Sequence, residues 1–163
     1  MAGESNISSS VFDVTAQKYV EAVNAKDYRK AAKMLHFPGN MEEKAKQKEV
    51  RVISESLGIL VDELGAFDRY QPGEADRFYS VFIMAGSLDY WSDKMDGVSV
   101  IYRVQYNRKG QGYLIFRYAK LHSKLVLRAV EYGLPRAQSG ALETIKHLIY
   151  RIATEPDRSD AVE

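Results

Sequence analysis

Cysteine is absent from the 163 residues. That rules out disulfides, thiolate nucleophiles and cysteine-ligated metals, and it leaves the redox compartment open. Histidine occurs only at positions 36, 122 and 147. No His-x-x-x-His or zinc spacing links them, so no metal ligand set is indicated. No apolar run approaches the roughly 18 residues needed to cross a bilayer. The opening residues MAGESNISSSVFDV lack the basic and apolar segments of a signal peptide. As written, the chain therefore reads as cytoplasmic. A periplasmic or lipid-anchored protein would require a targeting segment trimmed from in front of it, with Met1 then non-native. An excess of one charge is missing too. Lys plus Arg total 23 against 22 for Asp plus Glu, so no global field recruits nucleic acid or an anionic membrane. Arg108, Lys109, Lys120 and Lys124 form a local basic set, which the charge balance weakens as a nucleic-acid footprint. The stretch NRKGQG, 107–112, joins two apolar runs instead of opening a helix, so it reads as a hairpin turn and not a phosphate loop. No cofactor is implied.

What remains is ordinary globular usage, with 45% hydrophobic and 28% charged residues. The chain divides into a lead at 1–12 expected to be flexible, one α+β domain at 13–154, and a flexible polar tail at 155–163. Tyr19, Val20 and Val23 make the apolar face of a first helix starting near Asp13 or Thr15 and ending at Asn24. Asp27 caps a second helix, with Tyr28, Ala31, Ala32 and Leu35 inward, which stops before Pro38. Asn40 with Glu43 resembles a capping arrangement for a third helix. Val50, Ile53, Leu57, Leu60 and Leu64 keep its helical spacing, Gly58 marks a break, and Gly65 ends it.

From Phe78 the period changes. Residues 78–91 read as a strand with a bulge or bend at Gly86. Strands at 98–106, 113–122 and 125–134 follow with short connections, which makes them antiparallel neighbours. Residues 140–153 form a closing helix with Leu142, Ile145, Leu148, Ile149 and Ile152 on one stripe. The expected fold is therefore helices packed on a strongly curved antiparallel sheet, with an additional C-terminal helix.

Two stretches, YVEAVNAKDYRKAAKMLH (19–36) and VIYRVQYNRKGQGYLIFRYAKLHSKLVLRAVEY (100–132), resemble the nuclear-transport-factor-2-like superfamily, also called SnoaL-like or cystatin-like cone proteins. The likeness covers about residues 15–134 and is one of pattern. It implies a cone with a ligand pocket, a small apolar or aromatic ligand, and a homodimer through the sheet face or the C-terminal helix. The long third helix and the terminal helix depart from the family pattern.

Family enzymes place an Asp, a His or a pair of them in the cone. Here the matching positions are His36, or its neighbour Tyr28, and a carboxylate candidate is Asp89. His36 could act as a base at neutral pH, or simply cap a helix end. Asp89 interrupts an apolar strand beside Trp91, where burial against rings would favour its protonated form. Tyrosine is abundant at 11 residues, and Tyr28, Tyr79 and Tyr102 are candidates to line a pocket. In the hairpin, alternation puts Tyr113, Ile115, Arg117, Ala119 and Leu121 on one face and Leu114, Phe116, Tyr118, Lys120 and His122 on the other. In the last strand it sets Leu125, Leu127, Ala129 and Glu131 against Val126, Arg128, Val130 and Tyr132. Arg103, Arg117 and Arg128 are candidates to hold an anionic ligand group, Arg103 and Arg117 foremost, or are structural arginines paired with Glu131 or a partner carboxylate.

Three functions fit these residues. The favoured one is a noncatalytic binding or protein-interaction domain. The alternatives are a cofactor-independent isomerase or dehydratase-like enzyme using His36 or Asp89, and an accessory domain of an envelope-associated protein.

Overall fold

The computed structural model describes residues 2–94 and 96–154, apart from the side chains of residues 2–10 and 139. The expected tail at 155–163 lies outside the described residues. The chain is α+β: the described residues form three helices, a five-stranded antiparallel sheet interrupted by one helical turn, and a closing helix. Among the described residues, no helix is long and apolar enough to cross a membrane.

Helix α1, Ala2–Asn24, already includes the residues expected as a loose lead, so the start at Asp13 or Thr15 is corrected to Ala2. No proline interrupts 2–12. Asp13 does not cap, because its carboxylate accepts the Tyr102 hydroxyl at 2.7 Å. Thr15 bonds back to the Val11 carbonyl at 3.2 Å, a pattern of helix interiors. Helix α2, Tyr28–Ala32, is capped as expected by Asp27, whose Oδ1 accepts the Lys30 amide at 3.2 Å. Helix α3, Glu43–Leu64, buries Val50, Ile53, Leu57, Leu60 and Leu64. Its N-cap is Glu42, with no side-chain bond, so the Asn40–Glu43 arrangement does not form. Gly58 does not break the helix. It leaves room for the Tyr28 ring, which lies 3.5 Å from where a Cβ would stand. Gly65 ends α3 with φ of 92°, in the left-handed region that favours glycine.

The strands are β1 (Phe67–Pro72), β2 (Phe78–Met84), β3 (Gly97–Tyr106), β4 (Gly110–Leu121) and β5 (Lys124–Pro135), in the spatial order β1-β3-β4-β5-β2. Strand β1 falls where no strand was expected. Asn24 seats it, donating to the Phe67 carbonyl and accepting the Phe67 amide, both at 2.9 Å. Strand β2 stops at Met84 and does not run on to Trp91. Gly86 takes φ of 85°, Ser87 accepts the Tyr90 amide at 3.2 Å, and Leu88–Trp91 becomes the single turn α4. Trp91 is thereby swung inward, and its Nε1 donates to the Ala85 carbonyl at 2.7 Å.

The helices cover one face of the sheet. Tyr102, Leu114, Phe116, Val130 and Tyr132 project into that interface with no more than 1% of their surface exposed. Tyr19 of α1 meets Phe116 edge-on at 5.4 Å, and its hydroxyl lies 2.6 Å from that of Tyr132. Large side chains buried this completely stabilise by roughly 1.5–3 kcal/mol each before entropy is counted. Leu57 and Leu60 of α3, both fully buried, belong to the same core.

The β4–β5 register shifts between Arg117 and Tyr118: Arg117 faces Ala129, but Tyr118 faces Leu127. Arg128 is the extra residue of a bulge. The strict alternation expected for β5 fails there, so Leu127 joins the helix-covered core instead of sharing the face of Ala129 and Glu131. Helix α5, Ser139–Thr154, packs on α3 and β2. Leu142 and Ile145 are buried, whereas Leu148 is 40% exposed, so the apolar stripe is narrower than its spacing suggests.

Candidate ligand cleft on the open face of the sheet

On the face turned away from the helices, the ladders place side chains in two cross-strand rows. Gln71, Arg103 and Tyr113 form one row across β1, β3 and β4. Arg69, Gln105 and Gln111 form the next. The β1–β2 connection, 73–77, folds over these rows and is held at three points. Gly73 donates to the Ile101 carbonyl at 3.1 Å, Arg103 Nε donates to the Glu74 carbonyl at 2.9 Å, and the Asp76 amide donates to the Tyr113 hydroxyl at 3.3 Å. Gly73 lets the Arg103 stem pass close to the backbone. A Cβ there would stand 3.1 Å from Cγ, Cδ and Nε of Arg103, whose stem lies across it.

Between connection and sheet is a cleft of about 670 Å³ whose walls include Asp68, Arg69, Gln71, Asp76, Arg103, Gln105, Gln111 and Tyr113. That volume suits a small molecule or a short peptide segment. The lining carries both charge signs, three side-chain amides and a phenol. Arg103 spends its Nε on the loop, and no hydrogen bond or ion pair among the described residues engages its terminal nitrogens. Its guanidinium edge is positioned and free to take a carboxylate through two parallel bonds.

The residues predicted as sites are scattered. His36 lies after α2, where its backbone amide donates to the Leu127 carbonyl at 2.8 Å and its ring meets Trp91 edge-on at 6.0 Å. Burial, and then the charge of Lys124, hold its pKa below the ordinary imidazole value. Asp89 is exposed on the first turn of α4, so the burial expected for it does not occur. No bond joins it to His36 among the described residues. Tyr28 covers Gly58 of α3. Tyr79 is 42% exposed on β2, with Arg136 over its ring at 5.8 Å. Tyr102 is buried, its ring between Tyr70 and Phe116, each edge-on at 5.7 Å. Burial, followed by the hydrogen bond to Asp13, pushes its phenol pKa up, so it stays protonated.

Arg117 lies on the open face but is committed to the protein. Its Nε and Nη2 donate to Glu131 at 2.8 and 3.3 Å, and its Nη1 donates to Ser99 at 2.7 Å. Ser80 adds a bond to the same carboxylate at 3.2 Å. Of the site predictions, only Arg103 lines the cleft. Gln71, Asp76 and Tyr113 were missed, since two of them depend on the unforeseen β1 and the connection after it. Gln105 was legible, since it alternates onto the Arg103 face of its strand, whereas Gln111 was read into the turn at 107–112 and falls on β4 only because that strand begins at Gly110. Among the described residues, no three His, Cys, Asp or Glu side chains gather where they could hold a metal ion.

The chain matches no family model, no curated protein and no solved structure.

Proposed function

We propose that this protein is a noncatalytic binding domain that takes a small polar ligand bearing a carboxylate in the cleft between the open sheet face and the 73–77 connection. Arg103 carries the proposal: its side chain is braced by Gly73 and the Glu74 carbonyl, with two terminal nitrogens left over at the wall of the cleft. Asp68 and Asp76 supply acceptors for a cationic group on the same ligand, and Gln71, Gln105 and Gln111 supply both donors and acceptors. A zwitterion such as a dipeptide satisfies all three. The enzyme alternative draws no comparable support, because His36 and Asp89 form no pair and neither lines the cleft. The resemblance to the nuclear-transport-factor-2-like proteins over about residues 15–134 enters this proposal as a likeness of sequence pattern, with the ligand on the sheet face turned away from the helices.

Heteronuclear NMR titration tests it with glycylglycine, succinate and uncharged xylitol. Saturable shifts at Gln71, Arg103 and Gln111 are expected for glycylglycine, with weaker ones for succinate and none for xylitol. Arg103→Gln should weaken the binding roughly tenfold or more, as loss of a charge-assisted pair does. Equal responses from the wild type and Arg103→Gln, or no response at all, would sink the proposal.

A further inference from the structure

We infer that β2 is the joining edge of a homodimer, pairing antiparallel with β2 of a second copy about a two-fold axis. The two edges of the sheet differ in their defences. Natural sheets blunt an exposed edge with charges, proline or a bulge. Strand β1 has all three, with Asp68 and Arg69, Pro72, and a register shift between Phe67 and Arg69. Strand β2, FYSVFIM, has none of them over its seven residues. It pairs with β5 on one side only. Among the described residues, no backbone hydrogen bond reaches its other side. Two large apolar side chains on it, Tyr79 at 42% and Phe82 at 49%, remain exposed.

The occupant is a second copy because the strand complements itself. It is free of charge along its length, so antiparallel pairing opposes no like charges. The start of β2 carries an excess of positive charge, with Arg77 and Arg136 beside the Tyr79 ring and Asp76 in the same hollow. Asp89 lies exposed just past its end, and no hydrogen bond or ion pair among the described residues engages its carboxylate. A two-fold axis through the strand brings the start of each copy beside the end of the other, which sets Arg77 toward Asp89 twice. Such isologous contact is the commonest way identical chains join. Two seven-residue edges make a small interface, so association belongs in the micromolar range.

Sedimentation of the purified full chain, from low micromolar to near-millimolar concentration, tests this. A reversible monomer–dimer equilibrium is expected, and Phe82→Lys, at an exposed position, should raise its dissociation constant roughly tenfold or more. Because the chain has no cysteine, Ser80→Cys and Phe82→Cys, oxidised singly and as a mixture, provide a second measure. At least one combination should form a disulfide-linked dimer, since paired strands bring Cα atoms within bridging distance. A monomer throughout, or a dimer untouched by Phe82→Lys with no cross-link from any combination, overturns the inference. So does a monomer that pairs only with a strand of another protein. Each outcome is independent of ligand binding in the cleft.

Discussion

The hydroxyls of Tyr19 and Tyr132 are 2.6 Å apart between α1 and β5, both rings fully enclosed. Burial is the main reason both phenols are pushed to higher pKa, so each stays neutral. One donates and the other accepts, and each is what satisfies the other in an apolar surround. Tyr19→Phe or Tyr132→Phe alone strands a buried hydroxyl and should cost about 1–3 kcal/mol. The double variant should cost less than the sum of the two, because no polar group is left behind. Urea unfolding of the four proteins checks this, and simple additivity would refute it.

Glu131 accepts both nitrogens of the Arg117 fork, while Arg128 sits at the bulge beside them with its Nε buried and unbonded. Burial, followed by repulsion from Arg117, weakens Arg128's hold on its proton, and Glu131 opposes this. Glu131→Gln should therefore destabilise by about 1–2 kcal/mol, a value discounted for the partial exposure of the pair. Arg128→Met should be neutral or stabilising, since it removes an unsatisfied donor and keeps the stem. Denaturant midpoints distinguish the two, and a large loss from Arg128→Met would mean the guanidinium has a role these contacts do not include.

His36 makes stability depend on pH in one direction. Its folded pKa lies below the ordinary value of 6.5, through burial first and Lys124 second. The unfolded chain therefore binds the proton more readily. The contribution is fully present above the unfolded value and is lost as the pH falls through the folded one. Between about pH 7 and pH 5, the melting temperature of the wild type should fall more steeply than that of His36→Asn. Parallel curves would show that the ring is not held neutral by the fold.

Asn24 is the side chain that brings β1 to the end of α1, through reciprocal 2.9 Å bonds with the Phe67 backbone. Asn24→Ala removes both and should cost about 1–3 kcal/mol. Because β1 supplies Arg69 and Gln71 to the cleft, amide exchange should quicken first at β1. An equal rise everywhere would indicate global destabilisation instead.

Much of this fold could be read from local spacing. The helix-facing residues of α3, the Asp27 cap, the hairpin faces and the association of Arg117 with Glu131 follow from periods of 3.6 and 2 within one element or between adjacent ones. What failed depended on distant or singular events. Strand β1 carries Asp68, Arg69 and Gln71 outward without an apolar alternation, and its anchor, Asn24, is 43 residues away in sequence. At Arg128 a single inserted residue reverses the parity of β5, which no propensity signals. The strand-like run after Met84 was overruled by Gly86 and Ser87, which together bend the chain and start a turn. The cleft was half legible for the same reasons. Arg103 and Gln105 share a strand face, but Gln111 was read as part of the turn, and their roof is a loop whose position depends on tertiary bonds.

Trp91 is the chain's single tryptophan, wholly enclosed, with its indole bonded to the Ala85 carbonyl and edge-on to His36. It lies by the Leu127 end of β5, whereas the cleft lies by the Gly133 end, about 20 Å farther along the strand at the usual rise per residue. The molecule therefore has a built-in optical reporter at the pole opposite its proposed ligand. Emission should follow the protonation of His36 and any local opening around α4, and remain silent when a ligand occupies the cleft. A fluorescence change on ligand addition would be a signal carried through β5, read without attaching a dye.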